Sequence, residues 1–192
     1  MLHCGERELI IGKMIIVKEH KTWGNGMNTY IFLYPETSFF EVNLVAYFMK
    51  TRGNIYIVAE EEHQVICTNE GIKIQRDISL TQVELESIDV FIICGGEINN
   101  IINKQLLFKI INWCIENKKI VGGICAGRNV ITDAEGVLTF PEKTYILDNI
   151  VLSPGNEYVD FALTVGKLAD IFVDEEDYNE TIDYFKYFKN ID

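Results

Sequence analysis

The sequence predicts an α/β protein with a mostly parallel sheet that is covered by helices on both faces. Short, wholly apolar segments alternate with longer segments of helical periodicity, and the apolar segments are rich in β-branched and aromatic residues. A strand that is apolar at every position is buried on both faces, and consecutive parallel strands need a helix-length connection. The 192 residues suit a single domain of this kind.

The first half of the chain contains three such strands, one helix and a small hairpin. The first strand ends at Pro35, and the helix after it has apolar residues at helical spacing, with Ser38 as its candidate N-cap. Two short apolar runs joined by Asn69-Glu70-Gly71 predict the hairpin. In chain order the predicted elements are strand 29–34, helix 38–50, strand 55–59, hairpin 65–68 with 72–74, and strand 90–94.

The second half continues the alternation and ends with two helices. Apolar residues at helical spacing predict the face that each helix buries, namely Ile102, Leu106, Ile110 and Trp113 in one helix, and Tyr178, Ile182, Phe185 and Phe188 in the last. In chain order the predicted elements are helix 101–117, strand 120–124, helix 128–134, strand or hairpin 145–152, helix 158–172 and helix 174–189.

Composition and charge argue against several classes of protein. The chain is 48% hydrophobic, which is too apolar for disorder, yet no apolar run approaches the roughly 20 residues of a membrane helix. The net charge of −12 repels phosphate and argues against a nucleic-acid partner. The five cysteines include no CxxC pair, which argues against both a disulfide framework and a zinc site. We therefore expect a reducing, cytoplasmic setting, with no metal and no cofactor.

Residues 1–28 differ from the rest of the chain and form a predicted N-terminal extension without an assigned function, ahead of one domain over residues 29–192. Lys13 interrupts the apolar stretch of the extension, and no small-residue cleavage site follows, so we do not expect a signal peptide. Cys4, His3 and His20 all lie in this extension.

The strongest local signal for chemistry is Gly123-Ile124-Cys125-Ala126-Gly127, which follows a predicted strand. It has the G-x-nucleophile-x-G form of a nucleophile elbow, a tight strand-to-helix turn that presents the nucleophile at the edge of the sheet. The positive end of the following helix favours a thiolate, so we expect the pKa of Cys125 to be lowered. The structural alternative is a buried cysteine beside a glycine-rich turn.

Glu41 is the second candidate because an acid there falls on the face of the first helix that should be buried. Burial would keep the carboxyl group neutral, and a neutral acid can donate a hydrogen bond to the sulfur of Cys125. The alternative is an ordinary acidic residue in the first turn of a helix, where the dipole favours it. After the strand 90–94, the backbone N–H groups of Gly95 and Gly96 could form an oxyanion hole, although such a pair is also common in plain loops.

These segments together resemble the ThiJ/PfpI family, the superfamily that includes the parkinsonism-associated deglycase and shares the class I glutamine amidotransferase-like fold. The matching segments are 31–35 with 40–42, 89–96, 123–127, and 150–155 with 161–162. The resemblance implies a flavodoxin-like three-layer sandwich that is usually a homodimer. It also implies that Cys125 is the nucleophile, that Glu41 is the acid hydrogen-bonded to it, and that Gly95 or Gly96 with the Ala126 amide forms the oxyanion region.

The sequence departs from that family in its histidines. Active members usually pair the cysteine with a histidine, but Ala126 follows Cys125 here, and the segment 137–144 is short and contains none. His63 lies in an acidic run after the second strand, and neither Glu157 nor Asp160 has a histidine nearby. Glutaminase and protease activity are therefore not expected.

Two hypotheses from different classes follow. The first is an enzyme that acts on small carbonyl compounds, a glyoxalase-like or deglycase-like hydrolase, in which Cys125 adds to the carbonyl and Glu41 moves a proton. The second is a non-enzymatic role, either an oxidation-responsive thiol or a regulatory, ligand-binding module with a vestigial site. Both imply a small-molecule substrate or oxidant as partner, with no nucleic acid and no membrane.

Overall fold

The computed structural model describes residues 26–102, 104–135 (side chains to 132) and 142–190. The sequence-based statements about residues 1–25, which include Cys4, His3 and His20, lie outside the described residues, and so does most of the segment 137–144. None of the described helices is long and apolar enough to cross a membrane.

Seven strands form one sheet, which is parallel except at one edge, as the sequence predicts. The strand order is β5-β2-β1-β6-β7-β9-β8, and β8 alone pairs antiparallel with its neighbour β9. Two further strands, β3 and β4, form the separate hairpin that the sequence also predicts. The strands of the described chain are β1 Met27–Phe32, β2 Gly53–Ala59, β3 Val65–Cys67, β4 Lys73–Gln75, β5 Ile78–Ser79, β6 Val90–Ile93, β7 Ile120–Ile124, β8 Tyr145–Leu147 and β9 Ile150–Ser153.

Helices cover both faces of the sheet and enclose one apolar cluster on each side. The cluster on one face includes Val45, Phe48 and Phe161, from α1 and α4, and α5 packs against its edge through Tyr178, Ile182 and Phe185. The cluster on the other face includes residues of α2 and α3. The helices of the described chain are α1 Phe40–Lys50, α2 Gln105–Glu116, α3 Ala126–Glu135, α4 Tyr158–Leu168 and α5 Glu175–Phe185. The result is the three-layer α/β sandwich that the sequence predicts.

Two predicted helix faces are wrong in detail. In α2 the buried residues are Leu107, Ile110, Ile111 and Cys114, so the prediction is right for Ile110. Leu106, however, is 39% exposed, and Ile102, which precedes the helix, is 37% exposed. Apolar residues occur there in adjacent pairs, so two helical phases fit the same pattern, and packing on the sheet selects the second. Phe188 lies beyond the end of α5 and is 87% exposed.

The start of α1 also differs from the prediction. Ser38 is not its cap: the N-cap position is Phe39, whose side chain forms no capping hydrogen bond. Instead, the backbone N–H of Phe40 donates to the carboxylate of Glu70 in the turn between β3 and β4, at 3.0 Å. An acid from a distant loop thus satisfies the positive end of this helix.

Candidate functional site

The candidate site lies at the carboxyl ends of three adjacent central strands. β1 leads into the segment that contains Glu41, β6 leads into Gly95-Gly96, and β7 leads into Cys125. An isolated bridge between Thr37 and Gly96 holds the first two of these segments together. Because the carboxyl ends of parallel strands share one edge of the sheet, the site gathers residues that are far apart in the chain.

Cys125 sits at the single position between β7 and α3, with its backbone in the left-handed region at φ 53°. This conformation is costly for a residue with a side chain and is typical of functional turns. The backbone N–H of Cys125 donates to the carbonyl of Ser153 at 2.9 Å, which anchors the turn to β9. At Gly127 an added Cβ would overlap the backbone of Ile93, so only glycine lets the first turn of α3 lie this close to β6.

The Glu41 side chain is buried on the first turn of α1, with 4% of the residue exposed. Burial raises the pKa of its carboxyl group from 4.5 to about 7. Hydrogen bonds with the Cys125 thiol and with the backbone N–H of Gly95 act in the opposite direction but do not outweigh burial. One oxygen, Oε2, is fully buried and has no hydrogen-bond partner of ordinary geometry within the described structure. The group therefore exchanges its proton near neutral pH.

The surroundings of Cys125 do not lower its pKa as expected from the sequence. Burial raises the pKa of the thiol, and the negative charge of ionised Glu41 raises it further. The backbone N–H groups of Ala126 and Gly96 point at the sulfur and lower the pKa, but they do not reverse the direction. The positive end of α3 is thus outweighed by desolvation and by the neighbouring carboxylate.

Two glycines allow the Glu41 carboxyl group and the Cys125 side chain to meet. A Cβ on Gly95 would overlap Glu41 Oε2 and lie 2.5 Å from Cys125 Cβ. A Cβ on Gly155, just after β9, would lie 2.6 Å from Glu41 Oε1 and 3.4 Å from Cys125 Sγ. Gly155 was not among the predicted site residues, although it follows the strand that pairs with β7, and that position in the sheet is the signal that could have indicated it.

Cys125 opens to solvent through a shallow pocket of about 210 Å³. Its other lining residues come from the loops after β1 and β6 and from the β3–β4 turn, and only Gly96 among them was predicted from the sequence. Glu36 shares with Cys125 a left-handed backbone, at φ 61°. The pocket is lined by Glu36, Ser38, Asn69, Gly96, Glu97 and Cys125.

The predicted oxyanion residues divide into two groups. The N–H groups of Gly96 and Ala126 face the sulfur of Cys125, where they can stabilise negative charge on the sulfur or on an atom bonded to it. The N–H of Gly95 instead donates a hydrogen bond to the carboxyl group of Glu41. The carbonyl oxygen of Gly95 accepts hydrogen bonds from the N–H of Ser38 and the hydroxyl group of Thr37, both at 2.9 Å, which fixes this loop.

No histidine of the described chain lines the pocket. His63 instead lies with Glu60 and Glu62, and one ligand atom from each falls within 4.8 Å of the others. Sequence spacing did not indicate this grouping. We assign no metal ion to these three residues, because Lys104 Nζ already pairs with Glu60 at 2.8 Å.

The four described cysteines are free thiols. Cys94 is buried, and its thiol donates a hydrogen bond to the carbonyl of Ser38 at 3.2 Å.

A buried tyrosine also lies near the site. The ring of Tyr34 is completely buried, and its hydroxyl group has no hydrogen-bond partner within the described structure. Burial raises the pKa of the Tyr34 phenol far above its ordinary value, and negative charge on Cys94 or Cys125 raises it further. Tyr34 therefore remains a neutral phenol.

Fold and site together define an α/β sandwich protein with a cysteine at a nucleophile-elbow turn. The sequence matches the DJ-1/PfpI family over residues 27–163, and the chain belongs to that family. No curated protein matches it by sequence.

Solved structures of the DJ-1 superfamily share its fold. Drosophila melanogaster DJ-1beta is 17% identical, with a TM-score of 0.68 over 82% of this chain and 96% of its own. Oxidized Toxoplasma gondii DJ-1 is 15% identical, with a TM-score of 0.67, and the match covers 81% of this chain and 96% of that protein. A DJ-1 superfamily protein from Agrobacterium tumefaciens is 16% identical, with a TM-score of 0.68, and the match covers 84% of this chain and 99% of that protein. These identities support the shared fold alone.

Proposed function

We propose that the protein is a cysteine-dependent enzyme that acts on small carbonyl compounds, with a glyoxalase-like or deglycase-like hydrolase or lyase activity. One observation carries the proposal: Glu41, whose carboxyl pKa is raised to about 7, is the hydrogen-bond partner of the strained, half-buried Cys125 thiol in an open pocket. A general base works best when its pKa lies near the working pH, and Glu41 meets this condition. The carboxylate thus replaces the histidine that the site lacks.

In the proposed reaction the sulfur of Cys125 attacks the carbonyl carbon while its proton passes to the Glu41 carboxylate. The electron pair of the C=O bond moves to the oxygen, and the N–H groups of Gly96 and Ala126 are placed to stabilise this negative charge. Glu41 then returns the proton to the oxygen to give a hemithioacetal. In a glyoxalase-like reaction Glu41 next moves the C–H proton of the hemithioacetal to the neighbouring carbon, while the hydroxyl proton passes to the second oxygen, which gives a thioester of a 2-hydroxy acid. Water then attacks the thioester carbonyl, the C–S bond breaks, and the hydroxy acid and the free Cys125 thiol are released.

Turnover of methylglyoxal to lactate tests this proposal. We expect activity in the wild type, none in Cys125→Ala, and a loss of at least about tenfold in Glu41→Gln, which keeps the shape of the side chain but cannot take a proton. Glu86→Gln, at an exposed position before β6 and so at the opposite end of the strands, serves as the matched control. Activity that survives Cys125→Ala would refute the proposed mechanism.

The alternative is a thiol that responds to oxidants without turnover. The small polar pocket admits a peroxide to the sulfur, and a structural neighbour, the Toxoplasma gondii protein, is described as oxidized. The thiolate would attack one peroxide oxygen, so that an S–O bond forms while the O–O bond breaks and the cysteine becomes a sulfenic acid. The other oxygen takes up a proton and leaves as water. Absence of methylglyoxal turnover, together with a mass increase confined to the Cys125 peptide after peroxide treatment, would favour this role.

We further propose that the protein forms a homodimer in a reducing compartment such as the cytoplasm. An apolar groove of about 610 Å³ runs between α1, α4 and α5, and five of its aromatic side chains are exposed, namely Phe40, Tyr47, Tyr158, Tyr184 and Phe188. Such a surface is typical of protein contacts. Light scattering should give twice the chain mass, and a monomer at micromolar concentration would contradict this proposal.

A further inference from the structure

The mouth of the Cys125 pocket carries two acidic side chains and no basic one. Glu36 and Glu97 line it, and the remaining lining residues of the described structure, Ser38, Asn69, Gly96 and Cys125, include no basic side chain. The ion pairs of the described chain all involve other acids. Glu36 and Glu97 are both exposed and form no ion pair within the described structure.

Neutral amide groups hold both carboxylates in place. Asn100 Nδ2 donates to Glu36 Oε2 at 3.1 Å, and Asn99 donates to Glu97 Oε1 through its backbone N–H at 3.1 Å and its side-chain Nδ2 at 2.7 Å. The two residues are also joined directly, because the N–H of Glu97 donates to the carbonyl of Glu36 at 3.1 Å. These hydrogen bonds orient both exposed carboxylates at the entrance of the pocket.

We propose that Glu36 and Glu97 make the Cys125 site selective for small electrophiles that are uncharged or positively charged, and against anionic ones. An anion in the pocket would lie against these two carboxylates and the charge that develops on the sulfur, whereas a cation gains from the same field. Uncharged dicarbonyls and amine-bearing aldehydes are the fitting classes, and 2-oxo acids are disfavoured. This inference rests on the proposed function, because it concerns the access of electrophiles to Cys125.

Three methanethiosulfonates of different charge test the proposal: the neutral methyl, the cationic trimethylammonioethyl and the anionic sulfonatoethyl compounds. In each reaction the Cys125 thiolate displaces methanesulfinate and forms a mixed disulfide, which mass spectrometry of the Cys125 peptide quantifies. Rates are divided by those of 2-mercaptoethanol to remove the intrinsic reactivity of each reagent. We expect the cationic-to-anionic ratio to be on the order of tenfold at low ionic strength and to fall several-fold at about 0.15 M salt.

The double variant Glu36→Gln with Glu97→Gln should bring this ratio close to one, whereas Glu86→Gln, which removes one exposed charge elsewhere, should leave it unchanged. A wild-type ratio equal to that of 2-mercaptoethanol, or a ratio that persists in the double variant, would overturn the charge selectivity while the reactive thiol stands. If Cys125 reacts with none of the three reagents, the proposed function itself fails, and the selectivity with it.

Discussion

The carboxyl group of Glu41, on the first turn of α1, is the hydrogen-bond partner of the Cys125 thiol, at the turn between β7 and α3. Both groups are desolvated, and burial raises the pKa of each. Negative charge on either one raises the pKa of the other, so the two groups lose their protons in sequence rather than together. Because Glu41 releases its proton near pH 7, it is the first of the pair to ionise.

Glu41→Gln should stabilise the protein at alkaline pH. The folded protein holds the Glu41 proton more tightly than the unfolded chain, so the free energy of unfolding falls as pH rises from about 4.5 to about 7 and stays lower above that range. Glutamine does not ionise, and we expect the variant to exceed the wild type by up to about 3 kcal/mol at about pH 8 but not below about pH 4.5.

Urea unfolding at both pH values measures this difference, with Glu86→Gln as the control for a surface charge. An advantage of Glu41→Gln that is equal at both pH values would show that the carboxyl pKa is not raised.

Gly155→Ala should impair the site more than it impairs the fold. The added methyl group would lie 2.6 Å from Glu41 Oε1 and 3.4 Å from Cys125 Sγ, so the carboxyl group must move away from its partner. Gly166→Ala is a matched control, because its methyl group would lie 2.8 Å from the flexible Ile171 side chain, away from the site. We expect a slower reaction of Cys125 with iodoacetamide at neutral pH in the first variant only. Equal rates in both would mean that Gly155 does not position the pair.

Tyr34→Phe should leave stability unchanged or raise it by about 1 kcal/mol, because it removes a buried hydroxyl group that has no partner. Tyr30→Phe, in β1 four residues before Tyr34, is the contrasting variant, since the Tyr30 hydroxyl group pairs with Ser87 Oγ at 2.7 Å. Loss of that hydrogen bond should cost about 1 kcal/mol in urea unfolding. A similar loss in Tyr34→Phe would show that its hydroxyl group is hydrogen-bonded, for instance to a buried water.

The sheet and most helices could be predicted because the central strands lie in short apolar runs, several of which end close to a proline or glycine, as at Pro35 after β1 and Gly95 after β6. The two-residue strand β5, at Ile78–Ser79, was missed because so short a segment shows no periodicity. The cap of α1 was missed for a different reason. It is the Glu70 carboxylate, which only the tertiary fold brings to the helix.

The candidate site was predictable to the extent that its residues follow strands directly. Cys125 and Gly96 follow β7 and β6 closely, and Glu41 lies on the first turn of the helix after β1, so the parallel sheet brings the three residues to one edge. The raised pKa of the Cys125 thiol could not be predicted, because it depends on how completely the neighbouring loops exclude water from the pair. That Glu36 and Glu97 line the mouth of the Cys125 pocket was also missed, since acidic loop residues are common and only the structure shows which of them face the pocket.

The most direct test of the coupled Glu41–Cys125 pair is the pH dependence of the reaction of Cys125 with iodoacetamide, followed by peptide mass spectrometry. If Glu41 accepts the thiol proton, the wild-type rate should rise with a midpoint near the Glu41 pKa of about 7, and this step should be absent from Glu41→Gln. A single step at or above about pH 8.5, the same in both proteins, would contradict the central claim.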